Sequence, residues 1–473
     1  MRGETNQKGA DMLRRSTSSL LASVNGPVFF AGDDGFADEA SVFNTAVMHL
    51  PYVIVGATGE ADVRAAVHFA SEHALPVAVL NTGHGPSVPA SGPSVMITTR
   101  RMAGVWIDSA KRTARVEAGA RWGQVVDEAA KVGLAPLAGS SPHVGVVGYT
   151  LGGGVSVALG RAFGYAADHV QVIEIVTADG ELRRVTPDSD GELFFALLGG
   201  KGNFGVVTAM EFTLFPVAEI YAGALHFSGD NAREVLEAYE RFTSTAPDEL
   251  TSSIVFLRAP DLPFVPDFMR GRLTVSIRIS FLGAAPEGEA LIAPLRAVAP
   301  VLADTVSTMP FADIASITND PSEPAAAVEH FAILDELSPS AMEAILDIAG
   351  SNSDSSVTMV NLTHLGGALG RPSEKANAVG RRDAAFAIFA FTVVPPGDVV
   401  LNAGMDQGLE LMRRLTPPGG GRKHPGYLSP ADASVESVRL AYDTSTYERL
   451  QATKTRYDPR NVFRFTHNIP PRT

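Results

Sequence analysis

Six glycines fall within the sixteen residues from Gly139 to Gly154, in the run Gly139-Ser140-Ser141-Pro142-His143-Val144-Gly145-Val146-Val147-Gly148-Tyr149-Thr150-Leu151-Gly152-Gly153-Gly154. A residue without a Cβ lets backbone N–H groups come close to a ligand and lets the chain turn where other residues clash. The run therefore reads as a cradle for a dinucleotide pyrophosphate. Its spacing is not the G-x-G-x-x-G of a Rossmann turn. Val144, Val146, Val147 and Leu151 are too apolar for a solvated loop, which argues against a glycine-rich surface loop.

At 473 residues with 45% apolar content, the chain has room for two or three domains with sizeable cores. A net charge of -14 and the lack of any basic cluster argue against a nucleic-acid partner. There is no cysteine, which excludes disulfides, thiolate metal ligands, iron-sulfur clusters and a cysteine nucleophile. No metal site is expected. No apolar stretch reaches the roughly 18 residues of a membrane span, so no membrane association is expected. Arg14-Arg15-Ser16 ahead of Leu20-Leu21 has the look of a twin-arginine export signal, but the apolar run behind it is too short. A tail leading into a first helix, in a cytoplasmic protein, is the expectation.

From Pro51 to about Pro216 short apolar runs alternate with amphipathic segments, as in an α+β domain. Val53-Ile54-Val55 reads as a strand, Thr58 as the cap of a helix running to about His73, and Val77-Ala78-Val79-Leu80 as a strand ending in Asn81-Thr82-Gly83-His84-Gly85. Two hairpins follow, Val105 to Asp108 with Thr113 to Val116, and Val170 to Ala178 with Leu182 to Val185 about Asp179-Gly180. Between them Trp122, Val125, Val126, Ala129 and Ala130 make one helix face, stopped by Gly133. Beyond Pro216 longer helices (Asn231 to Ala246, Glu287 to Val298, Ser340 to Ala349) alternate with strands such as Thr274 to Ser280. Such a sheet, with helices on one face, is suited to carry a substrate pocket. Pro417 to Gly421 reads as a flexible link before Tyr427 and a last helix near Thr446 to Tyr457.

Four stretches, taken in order, carry a resemblance: Thr82-Gly83-His84-Gly85; the glycine run; Gly199 to Val207; and Tyr457-Asp458-Pro459-Arg460-Asn461-Val462-Phe463 with Asn468-Ile469-Pro470-Pro471. The chain resembles the berberine-bridge-enzyme-like FAD-linked oxidases, within the vanillyl-alcohol-oxidase type of flavoproteins. The middle third matches loosely, at His364-Leu365-Gly366-Gly367-Ala368 and Arg382.

The resemblance implies an α+β protein with a two-part PCMH-type FAD-binding domain, residues 1–216 plus 426–473, around a substrate domain, 217–425. It implies FAD held by Asn81, Thr82, Gly83, His84, Gly85, Gly139, Ser140, Ser141, Val144, Gly145, Gly148, Tyr149, Gly152, Gly153, Gly205, Val206 and Asn468. His84 stands where the family joins a histidine ring nitrogen to the flavin 8α-methyl. Many members add a second bond from a cysteine in the glycine run; the aligned residue here is Ser141, whose hydroxyl lacks the low pKa and soft nucleophilicity for that addition. One covalent link is expected, not two.

Tyr427, in Gly426-Tyr427-Leu428-Ser429, matches a family Tyr-x-Asn pattern with Ser429 in place of the asparagine. It is the candidate catalytic residue, as a base or as a hydrogen-bond partner of flavin or substrate. Phe386-Ala387-Ile388-Phe389-Ala390-Phe391 suggests an apolar pocket wall and a hydrophobic small-molecule substrate. His364 is read as a core histidine, His143 as turned away from the flavin ring, and Asp168 and Asn203 as turn or cap residues. The implied activity is removal of a hydride from an alcohol, amine or related C–H, with O2 as acceptor, in a monomer or homodimer. The alternatives are a dehydrogenase with another acceptor, and a flavin-binding protein with redox-neutral or no turnover.

Overall fold

The computed structural model describes residues 17–472 apart from 19, 86–87, 264, 395–400 and 418–420, and for 401–405 the backbone alone. Arg14-Arg15-Ser16 and most of the Pro417 to Gly421 link lie outside the described residues.

Three sheets form in succession. The first contains β1 (Val28–Phe30), β2 (Leu50–Gly56), β3 (Val77–Leu80) and β4 (Ser91–Thr98) in the order β1-β2-β4-β3. The β2–β4 and β4–β3 pairs are parallel, so the chain must cross over between β2 and β3. Helix α1 (Glu60–Glu72) makes that crossing and buries Val63, Ala66, Val67 and Ala70 against Val53, Val55 and Ile97. Its cap differs from expectation. The N-cap is Gly59, with no side-chain cap bond, and Thr58 instead donates its N–H and hydroxyl to Asp62 at 2.8 and 2.6 Å. Asp62 also accepts from the N–H groups of Asn25 and Gly26, so one carboxylate satisfies the whole turn.

The second sheet contains β5 (Val105–Asp108), β6 (Thr113–Glu117), β7 (Val170–Val176), β8 (Leu182–Val185) and β9 (Val206–Thr213) in the order β5-β6-β9-β7-β8. Both expected hairpins are present as antiparallel pairs. Helix α2 (Trp122–Ala130) lays Trp122, Val125, Val126 and Ala129 into the core beneath this sheet. Part of the glycine run is itself helical: α3 (Val146–Leu151) buries Val146, Val147 and Leu151 in the same core, which explains why a cradle carries so many apolar residues. Helix α4 (Gly191–Gly200) follows β8.

The third sheet holds β10 (Glu219–Ser228), β11 (Leu250–Arg258), β12 (Leu273–Phe281), β13 (Val301–Asp304), β14 (Ser307–Pro310), β15 (Ala327–Leu334), β16 (Met359–His364) and β17 (Phe386–Val393). Its order is β13-β10-β12-β11-β16-β17-β15, with β14 beside β10, and every pairing is antiparallel. Side chains alternate faces along each strand. Ile254, Ile277, Leu362 and Ile388 pair across four strands on the face covered by α5 (Ala232–Thr243), α6 (Ala285–Arg296), α7 (Pro339–Ala349) and α8 (Leu401–Leu415). The other face turns toward the first two sheets, and Ala222, Ile333 and Ala387 join their core.

Helix α9 (Thr444–Tyr457) brings the chain back. Buried Lys454 donates to Asp458 and to the carbonyls of Asn203 and Phe463, at 2.7, 2.7 and 3.1 Å. Asn203 donates to the carbonyls of Gly200 and His467 and accepts from the N–H of Ile469. The N–H of Val77 at the start of β3 bonds the carbonyl of Val462. The last 30 residues are thus fastened to the first two sheets by groups that no solvent competes for.

Candidate active site

Strand β3 ends at Leu80 and delivers Asn81 to Gly85 toward the glycine run. The two segments touch. A Cβ on Gly145 would lie 2.7 Å from Nδ2 of Asn81 and 3.6 Å from Oγ1 of Thr82, so a side chain at this crossing would have to displace the Asn81 amide. Gly145 in turn bridges Arg121, and the N–H groups of Trp122 and Val146 bond the carbonyls of Val144 and Ala120. Gly83 has φ 67, and a Cβ there would lie 2.5 Å from that of Val42, which presses the 42–44 segment onto the loop. The carbonyls of Thr82 and Gly83 accept from the N–H groups of Phe43 and Asn44.

That segment supplies a partner the sequence did not reveal. The Phe43 ring stacks on His84, centroids 3.8 Å apart and planes 14° from parallel. Burial, with the positive charges of His143 and Arg121 nearby, lowers the His84 pKa to about 4. His84 is therefore a neutral imidazole at pH 7. His143 lies close enough for its charge to be felt there.

Ser141 is buried, and its Oγ accepts from the N–H of His143 at 3.3 Å. The hydroxyl serves the loop's own turn. The carbonyl of Ser140 accepts from Thr318 Oγ1 at 3.1 Å, which ties the run to the segment between β14 and β15. Gly139 packs beneath the Tyr149 ring, and Gly152 lies against Gly426, the residue before Tyr427; Gly153 is adjacent to the His424 ring. Tyr427 packs on His424 at 5.3 Å and on Phe331 of β15 at 5.6 Å. Burial and the neighbouring Tyr165 raise its phenol pKa above the ordinary range, so it keeps its proton at neutral pH. Val206 opens β9 opposite Val176 with Gly205 just before it, and Asn468 sits between His467 and Ile469, both bonded to Asn203.

Asp168 closes the turn at Tyr165 and receives Arg382 through two bonds, 2.6 and 3.0 Å, while the guanidinium covers the Tyr165 ring at 4.8 Å. His364 is buried, with Nε2 3.1 Å from Arg161 Nη1. Both act as struts between the first two sheets and the third.

Between the glycine run and the open face of the third sheet lies a cavity of ≈ 120 Å³. Its wall is mixed, where the sequence suggested an apolar one. Phe389, Met359, Val157 and Ile317 contribute, but so do Thr251, Ser253, Arg278, Asn361, Thr363 and Asp320. Alternation removes Phe386, which pairs with His364 and packs into the helix-covered core, while Phe389 and Phe391 share the open face and Phe389 lines the cavity. The polar residues come into line through register, Thr363 opposite Ser253 and Ser253 opposite Arg278. Glu329 of β15, absent from any motif, is also enclosed; burial lifts its pKa to about 7, and its Oε2 has no partner among the described residues.

The residues fit FAD. A Cβ on Gly148 or Gly85 would meet no atom within 4 Å, so open space lies against both segments. Asn81 Oδ1, Tyr149 Oη and Asn468 Oδ1 are shielded from solvent without a partner among the described residues, a costly state for a protein group unless a ligand satisfies it. Among the described residues no helix is long and apolar enough to cross a membrane.

Comparison with known proteins agrees with this geometry. Residues 51–186 match the family model described as an FAD binding domain, and 431–470 match the one described as berberine and berberine like. Similar proteins include the (R)-6-hydroxynicotine oxidase of Paenarthrobacter nicotinovorans, 29% identical over 471 residues and covering 96% of this chain and 99% of that one. An FAD-linked oxidoreductase of Dictyostelium discoideum is 26% identical over 480 residues, 99% of each chain. Among solved structures, the carbohydrate oxidase of Microdochium nivale superposes with a TM-score of 0.83 at 20% identity, covering 97% of this chain and 100% of that one. The chain thus carries an FAD binding domain and a berberine-like segment, and it is an FAD-linked oxidoreductase.

Proposed function

We propose that the protein is an oxidase that takes a hydride from a C–H beside a hydroxyl or amine of a small molecule, with FAD attached through His84 alone and O2 as the final acceptor. Residues 1–216 and 426–473 hold the cofactor, and 217–425 the substrate. What carries the reading is the crossing of Gly145 with Asn81, which sets the loop bearing His84 against the glycine run, whose Ser140 lines the sheet cavity. FAD, when bound, supplies the two-electron acceptor.

The chain's own residues do the rest. His84 presents an uncharged ring, and a neutral imidazole is a competent nucleophile. With FAD in place, a ring nitrogen of His84 would be the group to attack and hold it. Phe43 fixes the ring plane for that attack. Ser141, engaged with His143, forms no second link. Asn81, Tyr149 and Asn468 offer the unpaired polar atoms that hold the cofactor's polar edges. Tyr427 keeps its proton and donates a hydrogen bond to substrate or cofactor, in place of acting as the base. Polar residues beside Phe389 on the same sheet face favour a substrate with both an apolar body and polar groups over a purely hydrophobic one.

The experiment is stopped-flow reoxidation of substrate-reduced protein in air-saturated buffer. Fast return of the flavin absorbance supports the oxidase. Sluggish return with rapid reduction of a dye favours the second reading, a dehydrogenase using another acceptor.

A further inference from the structure

The cavity wall contains an arginine whose bonding is unfinished. Arg278 Nη2 donates to the carbonyl of Thr318 at 2.8 Å, and Asp320 stands at 4.0 Å, the outer limit of an ion pair. A guanidinium offers five N–H donors in a planar fork. No other acceptor for Arg278 appears among the described residues, although its side chain is only 16% exposed. Arg382 in this same chain shows what a structural arginine looks like: two bonds to Asp168, one to Asn377 and one to the carbonyl of Arg371.

Two neighbours add to the pattern. Asn361 spends Nδ2 on Thr363 at 3.2 Å, while its Oδ1 is shielded without a partner. Phe389 forms an aromatic wall, stiffened by Phe331 stacked behind it with centroids 4.5 Å apart. The cavity thus presents a cation, a lone acceptor and a flat apolar surface.

We propose that this cavity selects substrates bearing a carboxylate, which Arg278 binds, with Asn361 accepting from a hydroxyl or amine of the same molecule and the apolar body lying on Phe389. The inference rests on the reading that an FAD-linked oxidoreductase takes its substrate here. Asp320 partly offsets the charge of Arg278 and so sets how strongly the anion is held. Charge-assisted pairs with the planar fork are stronger than neutral hydrogen bonds, which is why the ionised acid is preferred over its amide.

The test uses flavin-loaded protein with 4-hydroxybenzoate and 4-hydroxybenzamide, which share ring and hydroxyl and differ in charge. Binding is read by perturbation of the flavin absorbance and by calorimetry. The acid should bind about tenfold more tightly than the amide. Arg278→Gln should erase that preference, Arg278→Lys should keep part of it, and Asp320→Asn should tighten the acid several-fold without changing the amide. Equal binding of the two probes, failure of the acid to bind, or a preference that survives in Arg278→Gln would overturn the proposal. The flavin-to-protein absorbance ratio tests the cofactor reading separately. Protein that never takes up FAD overturns that reading, whereas loaded protein without an acid preference overturns this one.

Discussion

The imidazole of His84 lies flat against the ring of Phe43, 3.8 Å between centroids, on a segment whose backbone is bonded to Thr82 and Gly83. This contact both buries the imidazole and fixes its plane. Replacing Phe43 by Ala removes the stacked face and is expected to slow covalent attachment several-fold, with FAD still bound. In-gel flavin fluorescence over time after adding FAD to apoprotein measures it; an unchanged rate would show that Phe43 only packs.

Gly145 and Gly148 are three residues apart and predict opposite behaviours. A Cβ at Gly145 meets Asn81 inside the protein, so Gly145→Ala should cost about 1–3 kcal/mol of stability with or without cofactor. A Cβ at Gly148 meets nothing in the protein, so Gly148→Ala should leave apoprotein stability within about 0.5 kcal/mol while weakening FAD binding. Thermal melts with and without FAD separate the two. Full FAD affinity in Gly148→Ala would mean that the open space there is not the cofactor's.

Much of this was legible in the sequence. The hairpin about Asp179-Gly180 and the helix with Val63, Ala66, Val67 and Ala70 follow from local chemistry, and the structure has them where expected. Helix α3 was not legible, because Gly148 and the flanking glycines oppose helix formation and only packing of Val146, Val147 and Leu151 overrides them. The polar cavity wall was hidden for another reason. Ser253, Arg278, Asn361 and Thr363 stand on three strands separated in sequence, and only strand register lines them up. Phe43 lies outside every motif that pointed to the cofactor, so its contact with His84 had no signal at all.

Tyr427 stays protonated near neutral pH. If it donates a hydrogen bond, Tyr427→Phe should lower kcat by about tenfold, the value of one such bond, and leave the shape of the pH profile unchanged. Loss of an ionisation from the kcat/KM profile in that variant would restore the role of base to Tyr427.

Glu329 adds a pH dependence to stability. Its pKa is raised from 4.5 to about 7 by burial, so the folded state holds a proton that the unfolded chain releases. The contribution is complete below pH 4.5 and is lost as pH rises through 7, at most about 3 kcal/mol in all. Glu329→Gln should therefore be more stable than wild type at pH 8 and indistinguishable from it near pH 4.5. Urea titrations at the two pH values decide; equal differences at both would place the ionisation elsewhere.

The most direct measurement of the central claim is the mass of the acid-denatured polypeptide, compared between the wild type and His84→Ala. The account predicts that wild-type protein precipitates yellow and carries the added mass of one FAD, while His84→Ala releases all of its flavin. Complete release from the wild type, or flavin retained by His84→Ala, would contradict it.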